Sequence, residues 1–239
     1  ICSDGGYFAA GSSYVGGYYL ASVLKTDADG NEEFCLVVND NGKAYDQDMM
    51  DGHQTADGGY VLTGYSDNGS SHGYLALLIK LDSDGGLEWS SVFQDTVTGH
   101  GALSYAVAET AVGDFIIGGE EVNSITKAST YGCWLAKVNS DGDKEWLRSY
   151  GHDLTVHYPN DLAITPDGDI VAAGHKGSYM DLSKFDASGN VLWNYDFDEL
   201  TSSEGKGLVL TEDGGCVVVG SGVSAGTTVI AKVSHVYIP

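Results

Sequence analysis

The residues of this chain that could do chemistry are mainly acids, amides and imidazoles in turns and loops. Asp27, Asp29 and Asn31 alternate in the turn TDADGN, so their oxygens could converge on a calcium ion. The turn is too short for an EF-hand loop, which ends in a bidentate glutamate, and Asp and Gly are also what a tight hairpin requires. We expect a structural turn, keep Ca²⁺ as the alternative, and expect no other cofactor to be required.

Five of the seven histidines fall in or beside long, variable segments of the sequence. On the strand assignment below, these segments are loops on one face, where a rigid scaffold commonly presents a binding surface. A zinc site would need several of the imidazoles to converge, so ordinary polar loops are the alternative. The candidate ligand-face residues are His72, His100, His152, His157 and His175.

Catalytic signatures are missing from the sequence. It contains no GxSxG elbow, HExxH pair or P-loop, and no GxGxxG that follows a strand and opens a helix. Among 34 acidic residues some carboxylate pair will meet the spacing for glycoside hydrolysis by chance. We therefore predict a protein that is not an enzyme.

The composition limits the partners and the location. The chain has 239 residues and 34 acids against 11 bases, a formal net charge of −23, which disfavours nucleic acid as a partner. Hydrophobic residues make up 42%, enough for a globular core, and no apolar run reaches the roughly 20 residues of a membrane helix. We expect no membrane insertion and an extracellular or cell-surface location. The start at Ile1 rather than Met is typical of a processed or trimmed chain.

A phrase such as TADGGYVLTG recurs five times and always closes on a glycine. The spacings between these glycines are 53, 55, 55 and 46 residues, and a period near 50 without helical patterning indicates a propeller or a β-solenoid. The closing glycines are Gly11, Gly64, Gly119, Gly174 and Gly220.

A second phrase in each repeat ends in lysine, and in four repeats an acidic turn and an aromatic residue follow. The lysines are Lys25, Lys80, Lys137, Lys184 and Lys232, and the aromatics are Phe34, Trp89, Trp146 and Trp193. We expect each lysine stem to lie on an aromatic ring and its ammonium to pair with a turn carboxylate. A ring of ligand-binding cations is the alternative.

Each repeat reads as four antiparallel strands, a to d, joined by DGG and DSDGG-type hairpins. We predict an all-β fold, a single β-propeller domain over residues 1–239 with blades at about 1–45, 46–98, 99–152, 153–202 and 203–239.

Only ICS precedes the first DGG, so blade one lacks most of strand a. The ring then closes through further chain upstream, a strand from elsewhere, or side-chain packing alone. An unpaired edge can template another chain, so the candidate assembly junctions are Ile1, Cys2, Val236, Tyr237 and Ile238.

Residues 57–64 with 74–89, and residues 131–146, resemble the β-propeller repeats of secreted bacterial and archaeal surface proteins. Those units read DGGYVLAG, then WLIKLDSDGN, then an aromatic residue. The resemblance implies a non-catalytic extracellular structural or adhesive module, for example a self-assembling subunit of a surface layer or filament, whose partner is itself. The alternative is a lectin-like propeller that binds surface glycans, with a glycoside hydrolase third. Candidate glycan contacts are Tyr14, Tyr18, Tyr19, Tyr131 and Tyr179.

Two further features concern covalent chemistry. Asn68-Gly-Ser70 is the single N-glycosylation sequon, so Asn68 is a candidate acceptor in an exposed loop. Four cysteines allow three pairings. Cys2 and Cys216 could meet where the ring closes, while an intermolecular bond and buried thiols are the alternatives.

Overall fold

The computed structural model describes residues 1–38, 46–67, 73–93, 101–122, 129–150, 157–201, 203–222 and 227–234. Within these ranges every regular element is a β-strand, and all pairing is antiparallel. No helix in the described ranges is long and apolar enough to cross a bilayer.

The strands form five sheets of three or four strands, one for each sequence repeat. The first sheet holds β1 (Tyr7–Val15), β2 (Tyr18–Thr26) and β3 (Glu32–Val37). The second holds β4 (Asp46–Gln54), β5 (Tyr60–Asp67), β6 (Tyr74–Leu81) and β7 (Leu87–Phe93). The third holds β8 (Gly101–Glu109), β9 (Phe115–Val122), β10 (Ser129–Val138) and β11 (Lys144–Tyr150). The fourth holds β12 (His157–Ile164), β13 (Ile170–Lys176), β14 (Tyr179–Phe185) and β15 (Val191–Thr201), and the fifth holds β16 (Glu204–Leu210), β17 (Cys216–Ser221) and β18 (Thr228–Val233).

The order a-b-c-d is seen in the three complete sheets, and we keep the term blade for each sheet. Blade one consists of strands b, c and d, so the expected gap at its strand a is present in the structure. In blade five the described strands are a, b and c. The all-β architecture of repeated antiparallel sheets is therefore confirmed, but the five sheets do not close into a ring.

Apolar side chains pack between successive blades. Each of the four hydrophobic clusters in the described chain lies between two neighbouring sheets. The strand-d aromatic packs on the first residue of strand b in the following blade: the ring centroids of Phe34 and Tyr60 are 5.8 Å apart, and those of Trp89 and Phe115 are 5.9 Å apart. The strand-d aromatic of one repeat and the residue after the DGG turn of the next repeat therefore form part of the packing between successive blades.

A β-bulge in each described strand a explains the closing glycines. Residue 50 in β4 lies where the pairing register with strand b shifts, and the same shift recurs at residues 105, 160 and 206. The bulge presses a strand-a carbonyl against the closing glycine: a Cβ added to Gly64 would overlap the carbonyl oxygen of Asp48. Overlaps of the same kind occur at Gly119, Gly174 and Gly220. Glycine is required there because of close backbone approach.

Candidate functional site

We call strand a of each blade its inner strand. The bulged residues of the four described inner strands line one pocket. They are Met50, Tyr105, Asn160 and Lys206, one from each strand a. A bulge redirects a side chain that would otherwise follow the alternation of its strand. The pocket has a volume of about 540 Å³, within the range of about 300–1,000 Å³ that suits small ligands. We call it the inner pocket.

The remaining walls also come from equivalent repeat positions. Glu120 and His175 each follow a closing glycine at the end of a strand b. Tyr158 and Glu204 stand two residues before the bulge in their strands a. All of these positions lie at one end of the sheets, where strand b leads into the b-to-c loop. The repeat therefore brings polar side chains from three successive blades together.

Glu204 is the centre of the polar contacts in the inner pocket. Its Oε1 lies 2.6 Å from Lys206 Nζ and accepts a hydrogen bond of 3.1 Å from Asn160 Nδ2. Asn160 Nδ2 also donates to the carbonyl oxygen of Gly205 at 2.8 Å, which fixes the amide orientation. Burial alone would raise the pKa of Glu204, but Lys206, His175 and Asn160 together outweigh it and the pKa falls below its ordinary value. The carboxylate is therefore ionised at neutral pH.

His175 presents an imidazole whose Nδ1 has no hydrogen bond. Nδ1 lies 3.4 Å from Glu204 Oε1 without hydrogen-bonding geometry, and the ring stacks on Tyr158 with centroids 4.5 Å apart. Burial lowers the pKa of His175 below its ordinary value, and the charge of Glu204 offsets only part of that shift. The neutral ring carries one donor and one acceptor nitrogen. A ligand in the inner pocket can therefore find a hydrogen-bonding partner here.

A tyrosine–glutamate pair from blade three also lines the inner pocket. Tyr105 Oη donates to Glu120 Oε1 at 2.6 Å. Burial, followed by this bond to Glu120, raises the pKa of Tyr105 well above its ordinary value. The hydroxyl therefore remains protonated and keeps its oxygen as an acceptor for a ligand.

Two aspartates next to the bulges connect inner strands of neighbouring blades. Asp51 Oδ2 accepts a 3.0 Å bond from the Val107 backbone N–H, and Asp161 Oδ2 accepts a 2.6 Å bond from Leu208 N–H. Each also accepts from the N–H of the residue that follows it, at 2.7 Å and 2.8 Å. Burial raises the pKa of Asp161 to about 6, although the two N–H bonds oppose that shift. We assign these aspartates to strand positioning.

A second pocket, of about 600 Å³, opens at the opposite end of the inner strands, beside the a-to-b turns. Its walls include Val112, Ile116, Ile164 and Leu210. Polar groups that converge and have shifted pKa values favour the inner pocket as a functional site, because such groups fix the orientation of a ligand.

The repeated lysines pair with the acid of the a-to-b turn in every blade, at 2.5–3.0 Å. In the four blades with a described strand d, the lysine is also in register with the aromatic residue. The ion pairs are Lys25–Asp4, Lys80–Asp57, Lys137–Asp114, Lys184–Asp169 and Lys232–Asp213. Such self-contained pairing describes a structural role better than a ring of binding cations.

The acidic turn proposed for calcium uses its own oxygens. Asp27 Oδ1 accepts from the backbone N–H groups of Asp29 and Asn31 at 2.9 and 2.8 Å, and Oδ2 accepts from Asn31 Nδ2 at 2.8 Å. These bonds, led by that from the Asn31 side chain, lower the pKa of Asp27. Asp186 makes the same set of bonds in blade four. In the described part of the chain no group of three or more His, Cys, Asp or Glu side chains is arranged to hold a metal.

The other predicted site residues fall in three groups. His175 lines the inner pocket, and His157 begins β12 at the same end of the blades. Tyr14, Tyr18, Tyr19 and Tyr179 are at least 36% exposed, away from that pocket's walls. The predictions at His72, His100, His152, Asn68, Val236, Tyr237 and Ile238 lie outside the described residues.

The cysteines and the first residue are also placed. None of the four cysteines forms a disulfide; Cys2, Cys133 and Cys216 are buried and Cys35 is exposed. Ile1 is 94% exposed, whereas Cys2 belongs to the cluster between blades one and two.

Sequence reasoning missed most of the inner pocket. Met50, Tyr105, Asn160 and Lys206 all stand five residues before the Thr that opens the DGG-type turn. That alignment would have found equivalent positions, but it carries no sign of a bulge. Without the bulge, period-two alternation assigns those side chains to the wrong face.

Comparison with known proteins supports the fold and no family. The sequence matches no protein-family model and no curated protein. A protein of unknown function from Bacteroides caccae is similar in structure, with 10% identity and a TM-score of 0.54 over 84% of this chain. A gluconolactonase from Xanthomonas campestris has 13% identity and a TM-score of 0.51 over 85% of this chain, and streptogramin B lyase has 12% and 0.50 over 99%.

These likenesses show a propeller-type fold alone, because the identities are too low to carry activity. Two of the three proteins are enzymes by name, so the fold gives no support to the expectation that this chain is not one. The chain spans 65–70% of the length of these three structures.

Proposed function

We propose that this chain is a non-catalytic binding module that holds a neutral, polyhydroxylated ligand, such as a glycan terminus, in the inner pocket. The observation that carries this is the convergence of Asn160, His175, Glu204 and Lys206 from two blades on one cavity. Sugar hydroxyls both donate and accept, so they match a wall that mixes carboxylate, amide, ammonium and imidazole groups.

Charge selects among ligands of this size. The inner pocket holds two carboxylates, Glu120 and Glu204, against one ammonium, Lys206, on a chain with a formal charge of −23. The field therefore repels phosphates and acidic sugars. Tyr158 adds a ring beside the polar groups, and an apolar wall with a few fixed polar groups is the usual composition of a small-molecule site.

The test is saturation-transfer NMR with a panel of neutral mono- and disaccharides, followed by calorimetry on any sugar that binds. We expect Glu204→Gln to weaken binding at least about tenfold, since a hydrogen bond to a charged group contributes about 1.5–3 kcal/mol. Glu212→Gln is the matched control, because Glu212 lines the opposite pocket and should bind as wild type. No binding by any neutral sugar, or equal loss in both variants, contradicts the proposal; release of reducing ends from an oligosaccharide contradicts its non-catalytic part.

A second candidate is the extracellular structural or adhesive module, and the exposed apolar faces of the terminal blades favour it. Val219 and Ile230, which are opposite each other in register, are 41% and 72% exposed. Their equivalents in blade two, Thr63 and Leu78, are fully buried against blade three. Electron microscopy with calcium and with chelator tests this candidate: ordered filaments or sheets support it, and dispersed particles in both conditions reject it. Loss of order on chelation alone would show that the assembly depends on a divalent cation.

A further inference from the structure

The second pocket is formed by equivalent positions of three successive blades. Glu109, Ile164 and Leu210 each stand before the threonine that opens an a-to-b turn, and all three line this pocket. Its lining lies between residues 109 and 212, so the cavity is formed without either end of the chain. Its volume of about 600 Å³ lies within the range of about 300–1,000 Å³ that suits small ligands.

Apolar side chains occupy this end of the inner strands in blades four and five. The equivalent position of blade two holds Gln54, whereas blades four and five hold Ile164 and Leu210. Ile164 packs against the cluster between blades three and four, and Leu210 packs against the cluster between blades four and five. The cavity therefore has an apolar wall anchored in the core, where an apolar ligand group would be removed from water.

The turn of blade three extends this apolar wall to the surface. Val112 lines the pocket and is 77% exposed, although the other four a-to-b turns have aspartate at its position. The ion pair of blade three does not use this position, because Lys137 pairs with Asp114 at 2.7 Å and with Glu145 at 2.8 Å. The valine therefore takes no part in that ion pair and instead adds apolar surface to the pocket. The aspartates of the other turns are Asp4, Asp57, Asp167 and Asp213.

Electrostatics favour a cationic group in the ligand. Glu109 Oε2 accepts a 2.8 Å bond from Ala56 N–H, and a carboxylate has about four acceptor positions, so it can also accept from a ligand. The ammonium of Lys137 is already paired with two carboxylates. The chain as a whole carries a formal charge of −23, which attracts cations. A ligand suited to this pocket thus combines an apolar body with a positive charge.

We propose that the second pocket binds an amphipathic organic cation, with its apolar body against Val112, Ile164 and Leu210 and its ammonium at Glu109. Burial of the apolar body provides most of the affinity, and the charge-assisted hydrogen bond to Glu109 selects the cation. This site lies at the opposite end of the inner strands from the inner pocket and does not depend on the glycan proposal.

The probes are octylammonium, octanol and octanoate, which have similar apolar chains and differ in the charge of the head group. Calorimetric titration of the full chain at low ionic strength should show saturable binding of octylammonium. Its affinity should exceed that of octanoate at least about tenfold, because Glu109 forms a charge-assisted bond with the ammonium and repels the carboxylate. The affinity of octanol should lie between them.

Two variants separate the apolar contact from the charge. Glu109→Gln keeps an oxygen for Ala56 N–H and removes the charge, so it should weaken octylammonium binding at least about fivefold and affect octanol far less. Val112→Asn should weaken both about threefold through lost apolar area, and asparagine suits a turn position that holds aspartate elsewhere. Val15→Asn is the matched control: Val15 is 45% exposed in blade one and does not line the pocket, so both affinities should stay those of the wild type.

Several outcomes overturn the proposal. Absence of saturable octylammonium binding does so, as does equal affinity for octylammonium and octanoate. Equal weakening by Val112→Asn and Val15→Asn would show unspecific association with exposed valines, and equal weakening of octylammonium and octanol by Glu109→Gln would reject Glu109 as the ammonium partner. Methyl NMR locates the probe: shifts at Ile164 and Leu210 support the second pocket, and shifts confined to other methyl groups reject it.

Discussion

Lysine at the end of strand c has two environments within this one chain, so its contribution to stability can be measured with an internal control. Lys80 is 4% exposed and lies 3.0 Å from Asp57 and 3.1 Å from Glu88. The Lys232 side chain is 53% exposed and pairs with Asp213 at the open end of the last blade. Lys80→Ala and Lys232→Ala therefore remove the same groups from a buried and an exposed copy of one position.

The magnitude follows from what each substitution removes. Lys80→Ala deletes three buried methylenes, which contribute about 0.8 kcal/mol each. The carboxylates left behind are 59% and 44% exposed, so water solvates them and loss of the ion pairs adds only about 1 kcal/mol. We expect about 3 kcal/mol of lost unfolding free energy for Lys80→Ala, and less than about 1 kcal/mol for Lys232→Ala.

Lys80→Met distinguishes the contribution of the apolar side-chain stem to the unfolding free energy from that of the charged ammonium. Met keeps an unbranched apolar chain against Trp89, and it removes the cost of burying an ammonium together with the ion pairs. The expected loss is therefore about 1 kcal/mol. Urea unfolding with linear extrapolation gives all three values. If Lys80→Met costs as much as Lys80→Ala, the charge rather than the packed stem carries the effect; if Lys80→Ala costs no more than Lys232→Ala, burial of this position contributes nothing.

Two predictions concern the inner strands. Gly64→Ala places a Cβ on the carbonyl of Asp48 and should destabilise by about 3 kcal/mol or more in urea unfolding; a loss below about 1 kcal/mol would show that the bulge yields easily. Burial gives Asp161 a pKa of about 6 in the folded protein, above its ordinary value of 3.8, so its ionisation opposes folding, and stability is lost as pH rises from about 4 to above 6. The stability of Asp161→Asn relative to wild type should therefore rise by about 3 kcal/mol over that range. A stability difference that is independent of pH would refute the raised pKa of Asp161.

The repeat phrases were sufficient to predict the all-β repeated sheets, although these sheets do not close into a ring. Hairpins at the DGG turns, the apolar strands between them and the missing strand a of blade one all follow from local pattern and turn chemistry. The phrase YVLTG also shows that a glycine recurs at one position of strand b. Its cause, the close carbonyl of Asp48, lies on another strand and becomes visible only in the structure.

The site was less predictable because it depends on register. A one-residue bulge decides whether Asn160 or Asp161 faces the pocket, and both are polar residues in an apolar strand. Composition cannot choose between them. The histidine argument included His175, which lines the inner pocket, but it relied on loop residues while this pocket is built from strand residues. Rigid strands position side chains more reproducibly than loops, so they suit a site that must be preorganised.

One backbone feature accounts for both the closing glycines and the side chains that line the inner pocket. The bulge in strand a both requires the closing glycine and turns a side chain into the inner pocket, so blades share a glycine while their pocket residues differ. Blade one has the glycine, Gly11, without the bulge, and consequently contributes no inner-strand side chain to the pocket.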